Sequence, residues 1–192
     1  APTLDGVLDD PAWQQVQPLT AFYQCVSRLS ALPIDGRSEA YIGYVGDTLY
    51  VAVKGYEAST EGLVAESTER DGRVHADDCL EVFFDTNRDA LSYFQFIINT
   101  LGTVSDAHYG RDRPGSDWNG SITIGTTVAD TFWVAEVAIP VATLDGATIN
   151  KGDIWGFNVA RVRTGNASEY GQWVPTYGLA LRPDRFGYLV FE

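Results

Sequence analysis

The side chains with the widest chemical reach in this chain are its aromatics and its carboxylates. There are five tryptophans, Trp13, Trp118, Trp133, Trp155 and Trp173, and ten tyrosines. An aromatic face offers a pyranose ring a large contact area at low entropic cost, and it needs no charged partner. Trp13, Trp133 and Trp155 sit in or beside regular elements, where core packing is the ordinary role of an indole. Trp118 and Trp173 lie in stretches rich in Gly, Pro and Asn, and loops carry binding groups more often than cores do. These two are the candidate stacking walls.

Planar polar groups add a second signal. Along Tyr93–Asn99, alternation puts Tyr93, Gln95, Ile97 and Asn99 on one face and Phe94, Phe96 and Ile98 on the other. The second set reads as core. The first mixes amides with apolar groups, as a binding sheet would. In 154–163, Phe157, Val159, Arg161 and Arg163 share a face. An Arg161 directed into apolar surroundings needs partners. It either pairs with a carboxylate such as Glu81 or Glu136, or offers its fork of donors to sugar hydroxyls. Asp85-x-Asn87-x-Asp89 has the first three ligand positions of a calcium loop, without the rest of the twelve-residue pattern. Its alternative is an Asx-type turn closing a hairpin. Asp5, Asp9 and Asp77 are rival calcium ligands.

Other chemistry is thinly supported. With two histidines, His75 and His108, a Ser-His-Asp triad would have to use one of them. The sequence has no G-x-S-x-G elbow, HExxH, P-loop or GxGxxG pattern. Hydrolysis by a carboxylate pair needs only two acids across a cleft, and Glu81, Asp106 and Glu136 are the candidates. The expectation is a chain that does no chemistry of its own.

Composition narrows the partners. The 192 residues carry 26 acidic and 13 basic side chains, a formal net charge of −13. That charge disfavours nucleic-acid phosphates and anionic lipid surfaces and leaves neutral ligands and cations. No apolar run approaches the roughly 20 residues that cross a bilayer, so membrane insertion is not expected. Cys25 and Cys79 fit no CxxC or zinc spacing, and they are either buried free thiols or one disulfide between an early and a central strand. The start at Ala1-Pro2-Thr3 reads as a mature or trimmed chain, and a removed secretion signal would account for it, so a secreted protein is expected. Asn119-Gly120-Ser121 and Asn166-Ala167-Ser168 fit the glycosylation pattern.

The elements that must position these groups are strands. Ala40–Val45 and Leu49–Lys54 flank Gly46-Asp47-Thr48 as a hairpin. Leu80–Phe84, Ser92–Thr100, Gly102–Gly110, Ile122–Val128, Phe132–Ile139, Ile154–Val162, Tyr170–Val174 and Phe186–Phe191 follow, with an irregular edge strand at Phe22–Val26. Short helical turns are expected after Pro11 and at Val141–Leu144, and a brief helix within Glu57–Val64. Residues 32–37, 56–76 and 111–118 read as turns and loops. Eight to ten strands with almost no helix exclude βαβ crossovers. An all-β, antiparallel β-sandwich of immunoglobulin or jelly-roll type follows, as one domain over 1–192.

Several local patterns occur together in a particular order. They are Asp5-Gly6-Val7-Leu8-Asp9-Asp10-Pro11-Ala12-Trp13, Leu49-Tyr50-Val51-Ala52-Val53, and Asp77-Asp78-Cys79-Leu80-Glu81-Val82-Phe83-Phe84-Asp85. Asn99-x-x-Gly102-x-x-x-Asp106, Trp133-x-x-Glu136-x-x-Ile139-Pro140 and Trp155-Gly156-Phe157-Asn158-x-x-Arg161 follow, then Trp173-x-Pro175 and Phe186-Gly187. In that order they resemble the family 9 carbohydrate-binding modules and their DOMON-like relatives. The resemblance implies a calcium-containing β-sandwich attached to glycoside hydrolases, and an oligo- or polysaccharide partner bound at its terminal sugar. It implies a clamp of two tryptophans with charged and amide side chains on the hydroxyls. Trp173 would be one wall and Glu81 a hydrogen-bonding carboxylate near the other. The second aromatic is due a few residues before Glu81, where this chain has Gly72-Arg73-Val74-His75-Ala76. His75 or Trp118 would then supply that wall. Otherwise the clamp is broken, and either the ligand differs from xylan or cellulose or binding is lost, as in a structural or adhesion module with a degenerate pocket.

Overall fold

The computed structural model describes residues 1–111, 113–115 and 117–192. Thirteen strands are present among them: β1 Tyr23–Ser27, β2 Ser30–Pro33, β3 Ser38–Val45, β4 Thr48–Tyr56, β5 Cys79–Asp85, β6 Tyr93–Asn99, β7 Val104–Gly110, β8 Arg113–Gly115, β9 Thr123–Ala129, β10 Phe132–Pro140, β11 Ile154–Arg163, β12 Glu169–Gln172 and β13 Gly187–Val190. One helical turn, α1 Pro11–Gln14, has its proline at the start, where the missing N–H costs no bond. Single 3₁₀ turns occupy Thr60–Gly62, Val74–Ala76, Val141–Thr143 and Pro183–Arg185.

The strands form two antiparallel sheets. The larger runs β2-β1-β12-β11-β5-β6-β7-β8, with β13 also pairing the start of β11, and the smaller runs β3-β4-β10-β9. Alternation sets the facing layers. Leu80, Val82 and Phe84 of β5, Phe94, Phe96 and Ile98 of β6, and Phe157 and Val159 of β11 meet Val51, Val53, Trp133, Ala135, Val137 and Ile139 of the smaller sheet in one core. The architecture is therefore an antiparallel β-sandwich.

Both sheets are also covered on their outer faces, and this is what the strand pattern alone does not reveal. Residues 1–16 lie over the small sheet. The Glu136 carboxylate accepts from the Asp5 and Gly6 backbone N–H groups at 3.1 and 2.7 Å and from Trp13 Nε1 at 2.6 Å. Over the large sheet, the 176–186 segment covers part of the outer face, where Phe83, Tyr93, Ala160, Ala180 and Phe186 form a second apolar cluster. That is why every residue of β5 is buried although the strand has two faces.

Two expectations differ from what is found, and one open alternative is resolved. The turn foreseen at 32–37 begins inside a hairpin, because β2 pairs β1 as far as Pro33, a position tolerated on an outermost strand. In the loop foreseen at 111–118, Arg113–Gly115 pairs with β7, while Asp112 and Ser116 lie outside the described residues. Of the two alternatives for the cysteines, both are free thiols: Cys79 is fully buried, and Cys25 accepts from the Tyr177 N–H at 3.2 Å.

Candidate functional site

Much of the outer face of the large sheet is buried under the 176–186 segment, and the gap beside that cover is a cleft of about 340 Å³. Glu81 of β5, Gln95 and Ile97 of β6, Tyr109 of β7, Val162 of β11 and Tyr170 of β12 form its floor. His75 and the 176–186 cover, through Leu179 and Leu181, form its sides. Register brings these together. Glu81 pairs with Ile97 across β5–β6 and with Ala160 across β5–β11, and Val162 pairs with Tyr170.

Glu81 is the chemical centre of this cleft. Its residue surface is 6 % exposed, and its Oε2 accepts from Tyr170 Oη at 2.9 Å and Gln95 Nε2 at 3.2 Å. Both bonds fall on Oε2, so Oε1 is the carboxylate oxygen left for a ligand. Burial pushes the carboxyl up to about 7, against the opposing pull of the Tyr170 and Gln95 donors. Burial and the neighbouring Glu81 charge also raise the Tyr170 phenol well above its ordinary value. Tyr109 is held by stacking on Tyr93, ring centres 5.0 Å apart and planes 28° apart. His75 stands exposed on its 3₁₀ turn at the rim.

Of the residues singled out from sequence, His75, Glu81 and Gln95 line this cleft, and four others do not. Trp173 packs on Phe157 at 5.7 Å and on Gly187, where an added Cβ would come within 2.7 Å of its ring. Trp118 packs on Phe94 and Phe96 at 5.1 and 5.6 Å. Both indoles are half-buried against the inter-sheet core, on the opposite side of the large sheet from the cleft. The expected clamp of Trp173 with Trp118 or His75 is therefore not assembled. Loop-like composition marked these tryptophans as candidate stacking walls, whereas they pack at the edge of the core.

Arg161 also points into the sandwich. Its guanidinium donates to Glu57 Oε1 at 2.6 Å and to the backbone oxygens of Arg37 and Tyr56, so its carboxylate is Glu57 and neither Glu81 nor Glu136. Asn99 is committed as well. It donates to Asp77 Oδ2 at 2.8 Å and to Ser67 O, and accepts from Leu101 and Thr103 N–H groups. The lining residues that the sequence did not single out are Tyr109, Val162, Tyr170, Leu179 and Leu181. Tyr170 reaches Glu81 only through the pairing of β12 with β11, a long-range contact with no local sequence signal.

The remaining acids hold loops. Asp77 accepts from Glu66 and Ser67 N–H groups, and Asp78 from Val64, Thr164 and Gly165 N–H groups. Asp106 accepts from Arg70 and from the Gly120 N–H. Of Glu81, Asp106 and Glu136, only Glu81 lines the cleft. In the Asp85–Asp89 turn, Asn87 Oδ1 accepts from the Asp89 N–H, and Asp89 accepts from Leu91 N, Ser92 N and Ser92 Oγ. Asp85 Oδ2 accepts from Ala90 N, and Asp85 Oδ1 is buried without a hydrogen-bond partner. One open oxygen is a poor fit to a hard cation that wants six or more. Among the described residues no group of three or more His, Cys, Asp or Glu gathers as a metal site. No helix among them is long and apolar enough to cross a membrane.

Comparison with known proteins bears on the fold and the family. A family 9 carbohydrate-binding module from Caldicellulosiruptor kristjanssonii in complex with cellotriose superposes with a TM-score of 0.75 at 17% identity, covering 100% of this chain and 90% of that one. The glucose complex of a family 9 module from the same organism gives 0.74 at 16%, covering 100% and 92%. A putative carbohydrate-binding protein from Bacteroides uniformis gives 0.73 at 19%, covering 93% and 86%. These identities speak for the fold alone. No curated protein matches the chain. The model of the carbohydrate family 9 binding domain-like family matches residues 4–192, and the chain belongs to that family, whose members bind carbohydrate without catalysis.

Proposed function

We propose that this domain binds the end of an oligo- or polysaccharide chain in the cleft around Glu81. The observation that carries the reading is the open Glu81 Oε1 in a cleft floored by Tyr109 and Tyr170 and flanked by His75, Leu179 and Leu181. A buried carboxylate with one free oxygen accepts from sugar hydroxyls. Gln95, oriented by its own bond to Glu81, offers an amide beside it. Aromatic and aliphatic walls cover the C–H faces of the ring. The cleft lies at the small end of ligand sites, roughly 300–1,000 Å³, which suits one or two sugar rings. The neighbours crystallised with cellotriose and glucose support a glucose-type unit as the first ligand to try. An extracellular setting and a tethered glycoside hydrolase belong to the same proposal.

Calorimetric titration with glucose, cello-oligosaccharides and xylo-oligosaccharides, each with intact and with reduced ends, tests it. Saturable binding that falls at least tenfold in Glu81→Gln is expected, with reduced-end forms binding more weakly. Absence of binding across the panel overturns the reading. Full affinity in Glu81→Gln together with loss in Trp173→Ala would return the site to the tryptophans. Calcium is tested separately by melting with and without chelator: an unchanged Tm and no bound metal removes it.

A further inference from the structure

Beside the sugar cleft lies a second one of about 540 Å³, lined by Arg28, Arg182 and Arg185 with Thr176, Tyr177 and Gly178. Leu179 and Leu181 line both, so the two clefts adjoin along this segment. The chain has only 13 basic residues against 26 acidic ones, and three of the basic ones line this groove. They come from two separate elements. Arg28 is on the β1–β2 turn, Arg182 immediately precedes the Pro183–Arg185 turn and Arg185 ends it.

Their charge is only partly spent. Arg182 makes two bonds to Asp184, Nε to Oδ1 at 2.9 Å and Nη2 to Oδ2 at 2.8 Å. Arg185 Nε stands 4.0 Å from the same carboxylate, beyond hydrogen-bond reach. Asp184 thus offsets one of the three charges. The Arg185 guanidinium is 5.3 Å from the centre of the Tyr177 ring. Tyr177 itself has φ 58°, a left-handed conformation unusual for a bulky residue, and its N–H is anchored to Cys25 Sγ at 3.2 Å. A strained aromatic is thus fixed in a groove where three guanidinium groups meet a single carboxylate, Asp184.

We infer that this groove takes an acidic sugar unit, a uronate or a sulfated residue, next to the neutral unit held at Glu81. The inference rests on the sugar reading of the first cleft. Guanidinium groups recognise the planar carboxylate or the sulfate oxygens in the same way, through paired N–H donors. The net charge of −13 opposes this at long range, but screening beyond about 8 Å at physiological salt leaves the local arginines in control. The same balance selects short acidic substituents or chain ends over long polyanions.

The test compares affinities by calorimetry for a neutral oligosaccharide, a uronate-bearing one of the same length, and a sulfated one. Wild type and Arg28→Ala/Arg185→Ala are both titrated, at low salt and at 0.5 M salt. Expected is at least a tenfold preference for an acidic ligand over the neutral one. The preference should collapse toward one in the double variant and shrink with salt, while the Tm of the variant stays near wild type. The uronate and sulfate arms identify which oxyanion is read. Equal affinity for neutral and acidic ligands in wild type overturns the inference and leaves the sugar reading standing. A preference that survives in the double variant overturns it too. No binding of any ligand overturns both.

Discussion

Glu81 is held near the midpoint of its titration at neutral pH, and this has two measurable consequences. Its carboxyl lies at about 7 because burial disfavours the charge. The ionised form is the stronger acceptor of sugar hydroxyls. Affinity for neutral oligosaccharides should therefore rise up to about tenfold from pH 6 to pH 8, as the fraction ionised grows. Glu81→Gln should bind weakly and show no such slope. Stability runs the other way. The folded value lies above the unfolded one, so the native state holds the extra proton between about 4.5 and 7. The contribution is fully present below that window and lost as pH rises through it. A shift of this size corresponds to roughly 3 kcal/mol. Thermal melts should show Glu81→Gln gaining on wild type between pH 5 and pH 8, and parallel curves would refute the burial argument. Alternation along Tyr93–Asn99 was enough to set Gln95 and Ile97 on one face, and the family pattern pointed to Glu81. Nothing local marked Tyr170, whose bond to Glu81 spans 89 residues.

Strands were legible because their apolar residues alternate and their turns are rich in Gly, Asp and Asn. The covers were not. A segment such as 176–186 has no periodicity, and only its contact with Phe83 and Tyr93 shows that it buries an outer face. The same gap misdirected the tryptophans, since half-buried indoles at the edge of a core look like loop residues in sequence. Trp173→Ala and Trp118→Ala should each cost about 2–3 kcal/mol from lost packing. Affinity for oligosaccharide in the surviving fold should stay within a few-fold of wild type. Denaturant unfolding with parallel titrations checks both statements. Arg161 makes a complementary case. It lies over Trp133 beside Gly55, where an added Cβ would approach the guanidinium carbon within 2.6 Å. Glu57 takes Arg161 at 2.6 Å and Arg163 at 2.8 Å, so one carboxylate joins β11 to the end of β4. Glu57→Ala leaves a guanidinium buried without its counter-charge and should cost about 3–5 kcal/mol. A loss below 1 kcal/mol in urea unfolding would show that backbone oxygens suffice for Arg161.

Eight acids with shifted titration fall into two groups of opposite sign. Glu39, Glu57, Asp77 and Asp89 lie below their ordinary values, because arginine, tyrosine, amide and backbone donors outweigh the cost of burial. Each contributes stability above its unfolded value and loses it as pH falls through the folded one. Glu81, Asp85, Asp106 and Glu136 lie above their ordinary values, burial being the largest cause in all four. Each contributes stability at low pH and loses it as pH rises through its folded value. The two windows meet at the ordinary carboxylate values, about 4–4.5, so the linked stability is greatest there, well on the acid side of neutrality. The formal net charge of −13 at neutral pH adds self-repulsion on the alkaline side. Tm should therefore fall from its maximum toward pH 3.5 and again toward pH 8. Added salt should raise it at pH 8, where repulsion is screened, and much less at pH 4.5, close to the isoelectric point of about 4.4 where the net charge is small. A scan of Tm against pH at 20 mM and 300 mM salt separates the two causes of the alkaline decline. A decline that vanishes in high salt would assign it to net charge alone, and one that persists, and that Glu81→Gln reduces, would assign it to the buried carboxyl of the sugar cleft.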